Sequence, residues 1–260
     1  MELGLAGRRA LVTGGSKGIG LAIAEELTAE GADVAICARH AAEVEAAAAR
    51  LRASGRIVHA QTADVTDPEQ VTDLVTQSVT ALGGLDILVN NAGAAHPGNF
   101  ESLTDADWHA DLDVKLLAQI RCTRSALPHL RASAAPRVIN INSVYARYPD
   151  PAFFATTVIR AACLNLSKAL AQELATDRIL VNSGNIGFVA TPQWENIRRR
   201  RAPDLSAEEF FAKLAEDEVP LGRFGTVDEV SGVVAFLASE RASYLTGTSI
   251  DVAGGMGKYV

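Results

Sequence analysis

Thr13-Gly14-Gly15-Ser16-Lys17-Gly18-Ile19-Gly20 is the stretch of this chain whose residue types imply chemistry most directly. Glycines at 14, 18 and 20 lack the Cβ atoms that would hold a charged ligand away from the backbone. The run lies between a strand-like stretch and a helical one, where unpaired amides and the helix dipole favour negative charge. A dinucleotide pyrophosphate is the natural ligand, with Gly14, Ser16, Lys17, Gly18, Ile19 and Gly20 as its cradle. The same glycines could also form a plain tight turn, so the flanking sequence has to decide.

The flanks read as a strand, turn, helix, strand unit. Arg8 to Val12 is short and apolar; Leu21, Ile23, Ala24 and Leu27 recur at helical spacing up to Gly31; Val34 to Cys37 opens a second strand. The residue ending that second strand meets the adenosine ribose, and a carboxylate there would bind the 2′-hydroxyl of NAD and repel a 2′-phosphate. This chain has Ala38 followed by Arg39. With Lys17 in the glycine turn, that guanidinium suits a phosphate, and the predicted cofactor is NADP(H). The competing reading makes both cations ordinary surface charges.

Strand-like runs recur at 8–13, 33–38, 56–60, 85–90, 137–142, 178–183 and 247–252, with helical patterns at 18–30, 41–53, 68–82, 105–132, 152–176 and 227–238. This alternation predicts an α/β fold: a Rossmann-type doubly wound parallel sheet of about seven strands with helices on both faces. Asp67-Pro68 and Asp150-Pro151 read as matched helix starts. Residues 188–222 break the rhythm and are read as a substrate lid over the strand C-termini, within a single domain spanning 1–260. Phe188, Trp194, Phe210 and Phe211 there are either pocket or core.

The bulk properties exclude several classes. The 260 residues are 48% hydrophobic with a formal charge of −7, which gives the whole molecule no electrostatic reason to seek nucleic acid. No run of eighteen apolar residues and no leader pattern is present, so the expectation is a cytoplasmic protein without a membrane span. Cys37, Cys122 and Cys163 are far apart in apolar stretches and read as reduced core thiols, with no metal site. Arg198 to Arg201 is the one basic run, read as a solvated helix face or a contact for an acidic part of a substrate.

The glycine spacing Thr-Gly-x-x-x-Gly-x-Gly resembles the fingerprint of the short-chain dehydrogenase/reductase family. So do Asn90-Asn91-Ala92-Gly93, Asp64-Val65 and the closing Thr246-Gly247 to Gly254-Gly255, over essentially the whole chain. The resemblance implies an adenine contact at Asp64 and Val65, a ribose-side loop at Asn91 and Gly93, and nicotinamide contacts at Gly187 and Thr191. Ile186 stands where a proline usually precedes that glycine. The resemblance also implies a symmetric dimer or tetramer, assembled through helices 105–132 and 152–176 and through the last helix, the final strand and the ending 254–260.

The family's chemistry is hydride transfer assisted by a serine, a tyrosine, a lysine and a helix asparagine. Ser143 matches the serine. Thirteen residues on, the tyrosine position is Thr156; four further, the lysine position is Arg160; the asparagine position is Lys115. A threonine hydroxyl does not ionise usefully near neutral pH, and a guanidinium is a poor acid. Arg160 can still hold a ribose. The proton donor is therefore sought in Lys115, whose pKa would fall if it were buried beside another cation, or in Tyr145, with Tyr148 as a further candidate. Against these stand a snorkelling surface lysine and tyrosines packed under the lid. Asp150 also faces this region but reads first as a helix cap. The leading expectation is an NADP(H)-dependent oxidoreductase acting on a carbonyl or alcohol, the substrate small and anionic or aromatic. A dehydratase or isomerase, or an NADP(H) sensor, on the same fold are the alternatives.

Overall fold

Leu11 and Val12 are fully buried because their strand, β1 (Arg9–Thr13), runs through the middle of a sheet covered on both faces. The computed structural model describes residues 2–257. In chain order the elements are β1, α1 (Gly18–Ala29), β2 (Asp33–Ala38), α2 (Ala41–Arg52), β3 (Val58–Thr62), α3 (Pro68–Leu82) and β4 (Ile87–Asn90). There follow α4 (Asp105–Leu112), α5 (Ala118–Arg131), β5 (Arg137–Ser143), α6 (Phe154–Glu173), β6 (Leu180–Ile186), α7 (Pro192–Arg201), α8 (Ala207–Glu218), α9 (Val227–Ala238) and β7 (Ser249–Val252). Among the described residues the strands form one sheet, ordered β3-β2-β1-β4-β5-β6-β7, and every pairing is parallel. The order reverses between β1 and β4, and the C-terminal ends there open the crevice in which such sheets bind ligands.

Each sheet face has its own core. Val12, Ile36 and Ile139 pack with Ile23 and Leu27 of α1 and Val230 and Val234 of α9 on one side; Leu11, Leu88 and Val138 pack with Leu74 of α3 and Cys122 and Ala126 of α5 on the other. This two-sided burial is why β1, β2 and β4 read as near-continuous apolar runs. Asp67 caps α3 as expected, its Oδ1 accepting from the Glu69 and Gln70 amides at 2.9 and 3.2 Å, with Pro68 in the first turn.

Several boundaries differ from the sequence reading, among them β6, which lies at Leu180–Ile186 rather than 178–183. The stretch 105–132 is broken: a π-helical turn, Asp113–Leu117, separates α4 from α5. The helix expected at Asp150-Pro151 begins at Phe154 instead, because Asp150 Oδ1 accepts from Ala152 N at 2.8 Å and closes a separate turn ahead of it. β7 starts at Ser249, since Gly247 takes φ +67°. β3 lies at Val58–Thr62 rather than 56–60, in register with Val34–Ala38 of β2.

Past β6, α7 and α8 form a small separate core above the strand ends. Phe188 meets Trp194 edge-on at 4.7 Å and stacks on Phe224 at 5.1 Å; Phe211 stacks on Phe224 at 4.7 Å. A capping box between Ser206 and Glu209 starts α8. Phe210 and Phe211 therefore belong to packing, while Phe188 and Trp194 also line the cleft beneath. Lys258, Tyr259 and Val260, part of the expected subunit-contact ending, lie outside the described residues.

Candidate active site

The glycine turn is where the cleft begins. Gly14 takes φ +66°, and a Cβ there would stand 3.0 Å from Ala92 Cα; a Cβ on Gly20 would lie 2.2 Å from Gly14 O. Only glycine fits at either place. α1 starts immediately afterwards with Lys17 as its N-cap and no side-chain cap bond, so the first helical amides are left for an anion. Thr13 Oγ1 accepts from the Asn91 and Ala92 amides at 3.0 and 3.1 Å, and Asn91 Nδ2 donates to Thr13 O and Gly14 O at 2.9 and 3.1 Å. Asn91 thus fastens the β4 loop to the glycine turn, and Gly93 follows it into the cleft.

Ser16, Ile19, Arg39, Asp64 and Val65 line the same cleft beyond the glycine turn. Asp64 Oδ1 accepts from the Thr66 amide at 2.9 Å, which fixes its carboxylate at the rim. Lys17 is not a free cation: its Nζ donates to Glu43 Oε1 at 2.9 Å, and the Lys17 ammonium holds that carboxyl below its usual range. His40 and Glu43 stand beside Arg39 at this end, neighbours that sequence spacing did not point out.

At the far end, Gly187 is glycine because a Cβ would press to 2.8 Å against Ala253. Thr191, the N-cap of α7, faces Gly18 across the cleft, and a Cβ on Gly18 would meet it at 3.8 Å. α7 is also tied to the opposite wall, where Ala95 N donates to Gln193 Oε1 at 3.0 Å.

Between these ends lies a buried polar cluster. Lys115, in the π turn, has no exposed side-chain surface and still borders the cleft, so the surface-lysine reading is overturned. Its ammonium donates to Asp111 Oδ1 one turn back and to Thr156 Oγ1 at 3.3 Å. Thr156 in turn donates to Asp111 Oδ2 at 3.0 Å. Burial first, then the Arg160 guanidinium, bring the Lys115 ammonium down to about 8, with Asp111 opposing. Arg160 is partly buried on the same helix face, its Nη1 donating to Ile141 O at 2.8 Å while its Nε has no protein partner among the described residues. Ser143 ends β5 at the cleft wall, its Oγ accepting from Tyr145 N at 3.2 Å.

Tyr145 packs among aromatic neighbours. Tyr145 lines the cleft and stacks on Phe153 at 5.5 Å, and burial followed by the facing Asp150 carboxylate raises its phenol far above the ordinary value, which weakens it as an acid. Tyr148 does not reach the cleft. Asp111 is the group that sequence reasoning missed. The only signal was its i, i+4 spacing to Lys115, which on an exposed helix is a routine ion pair.

The model for a family described as enoyl-(acyl carrier protein) reductase matches residues 14–257. Nodulation protein G of Rhizobium sp. (strain N33) is 37% identical over 97% of this chain and 98% of its own length. The 3-oxoacyl-acyl-carrier-protein reductase FabG of Staphylococcus aureus (strain Mu50) is 32% identical over 96% and 98%. Among solved structures, L-sorbose reductase from Gluconobacter frateurii, in complex with NADPH and L-sorbose, superposes with a TM-score of 0.96 at 34% identity, all of both chains being covered. An NADPH-bound short-chain oxidoreductase from Pseudomonas aeruginosa PAO1, described as containing an atypical catalytic center, gives 0.93 at 37% identity over 99% of this chain and all of that one. With the glycine turn, the switch-point cleft and this likeness in place, the chain belongs to the short-chain dehydrogenase/reductase family.

Proposed function

We propose that this chain moves a hydride between NADP(H) and a carbonyl or alcohol carbon, with Lys115 in the role of proton donor and acceptor. The observation that carries the reading is Lys115 itself, a buried ammonium bordering the cleft between Asp111 and Thr156. An NADP(H)-dependent oxidoreductase is what the family, the two NADPH-bound neighbours and the Cβ-free cradle of Gly14 and Gly20 support.

NADPH, when bound, supplies the hydride. The protein's own residues do the rest. Gly14, Ser16, Gly18, Ile19 and Gly20 receive the pyrophosphate, and Arg39 with Lys17 meets the 2′-phosphate. Asp64 and Val65 border the adenine, while Gly93 and the partnerless edge of Arg160 face the ribose. Gly187 and Thr191 border the nicotinamide end. Ser143 holds the substrate oxygen, and Lys115 gives it a proton. Thr156 fixes the lysine by hydrogen bonding and leaves the room a phenol would have filled.

Phe153 and Tyr145 form an aromatic wall, with the Arg201 guanidinium 5.5 Å above the Phe153 ring. This supports a substrate with a flat or apolar body and an anionic substituent. Residues 188–222 act as its lid, within one domain spanning the chain. Cys37, Cys122 and Cys163 are free and buried, the Cys37 thiol pushed up to about 12 by burial, and they suit a reducing compartment such as the cytoplasm. No helix among the described residues is long and apolar enough to cross a membrane. A symmetric homodimer or homotetramer completes the proposal.

The test is transfer of deuterium from NADPH labelled at nicotinamide C4 into ketoses including L-sorbose, vicinal diketones and 3-oxoacyl thioesters. Label in an alcohol product supports the reading; NADPH binding with no label in any product overturns it.

A further inference from the structure

His96 lies in the loop joining β4 to α4, and nothing in the reading above uses it. Its Nε2 stands 3.2 Å from Asp107 Oδ1 and its Nδ1 3.9 Å from Asp111 Oδ1, so the imidazole spans two carboxylates one turn apart on α4. Side-chain exposure falls along this line from 34% at His96 to 3% at Asp111 and none at Lys115. Asp111 is therefore in reach of the Lys115 ammonium, the Thr156 hydroxyl and a ring open to solvent. The line runs from water to the cleft with one gap, between His96 and Asp111.

A buried lysine that acts as an acid must regain its proton each cycle. Arg160 and Cys163 of α6 also face it, but the guanidinium does not give up a proton, and burial first raises the Cys163 thiol. Thr156 is a hydroxyl donating to Asp111 already. That leaves the carboxylate. Imidazole is the side chain that exchanges protons with water near neutral pH.

We propose that His96 and Asp111 form the path by which Lys115 exchanges its proton with solvent. The inference rests on Lys115 being the proton donor. During reduction the hydride pair forms the new C–H bond, the carbonyl π pair takes a proton from Lys115 Nζ to give O–H, and Lys115 is left as a neutral amine. His96, carrying a proton on each nitrogen, then gives its Nδ1 proton to Asp111 Oδ1, which passes it on to Nζ; the ring is left neutral with Nε2–H toward Asp107 and takes a replacement proton at Nδ1 from water or a buffer acid. Net consumption is one solvent proton. The 3.9 Å gap exceeds a hydrogen bond, so the path requires the ring to approach Asp111 before the proton moves. Asp107, held charged by its hydrogen bonds from Thr104, keeps the ring turned toward α4.

His96 is a positioning and relay residue, not a catalytic one, and its test needs a readout that a mere loop pin would not move. His96→Ala is compared with the parent in turnover of whichever carbonyl probe accepts label from NADPH. The measurements are steady-state rates in a low-buffer series, with and without added imidazole, and in deuterium oxide. The expected result is a kcat at least tenfold lower, a larger solvent isotope effect, recovery with imidazole, and unchanged NADPH affinity by calorimetry. Turnover equal to the parent overturns the path, and so does a loss that imidazole does not restore. Lys115→Met, measured alongside, separates the two ideas. If it stays active, the proton-donor reading falls and takes the relay with it; if it is inactive while His96→Ala is normal, only the relay falls. Absence of label from every probe overturns both.

Discussion

Lys115 is a cation that the protein has placed where cations are disfavoured, and its usefulness follows from that. Because burial and Arg160 lower its ammonium from 10.5 to about 8, it is fully charged below neutrality and gives up a proton at moderate pH. Reduction needs the charged form, so kcat/KM for a carbonyl is expected to hold below pH 8 and fall above it. Alcohol oxidation needs the neutral amine and should rise through the same pH. A pH–rate profile in both directions checks this, and parallel profiles would refute it. Lys115→Met should cost about 10²–10⁴-fold in turnover with NADPH affinity retained, the range typical of a lost acid/base group. A second residue-level prediction concerns Lys17, which donates to Glu43 and which we propose also meets the 2′-phosphate, so the carboxylate would compete with it. Glu43→Gln should tighten NADPH several-fold by calorimetry and leave NADH unchanged, whereas Arg39→Ala should weaken NADPH about tenfold.

At the scale of elements, the glycine turn and its flanking strands were legible in the sequence, and so were Lys115, Thr156 and Arg160 as residues at unusual positions, but Asp111 as their partner was not. Glycine spacing reports backbone geometry directly, so the turn, α1 and the Arg39 position could be read from residues 13–39. The central strands β1, β2 and β4 were equally plain, since burial on both faces leaves apolar runs, whereas the half-buried edge strands β3 and β7 were placed less closely. What escaped was three-dimensional meeting. Asp111 and Lys115 meet through their i, i+4 spacing, but Thr156 joins them from α6, a contact between distant elements that no local pattern reports. The Asp150-Pro151 helix start was misread for a similar reason, because a carboxylate that caps a turn and one that caps a helix have the same local sequence. α7 offers the test at this scale. Gln193 fastens it to Ala95 across the cleft, so Gln193→Ala should raise the NADPH dissociation rate in stopped-flow without lowering the melting temperature by more than a few degrees. An unchanged rate would mean that the tie has no part in retention.

For the whole molecule, the wall that holds the Lys115 cluster is also an outer surface. Phe100 is 70% exposed and Val158 47%, and the Phe100 and Trp108 rings pack on Phe154 at 5.5 and 6.2 Å, so α4 and the start of α6 present an aromatic and aliphatic face to solvent. Apolar side chains gathered in this way are characteristic of an interface, and a twofold copy would bury the same patch on both subunits. The consequence reaches the site, because Thr156 and Val158 are on one helix and Lys115 follows α4. A partner pressing on that face would hold both walls of the cluster at once. The 27.4 kDa chain is therefore expected to sediment as a dimer or tetramer at micromolar concentration. Val158→Arg, which plants a charge at the centre of the face and leaves the core untouched, should shift it toward monomer. Turnover should fall with the degree of dissociation and recover at higher protein concentration, while the glycine turn, on the opposite side of β4, keeps its NADPH affinity. If the parent sediments as a monomer, or the arginine variant remains assembled, this face is not where the copies meet, and the rigidity of the Lys115 cluster comes from the single chain.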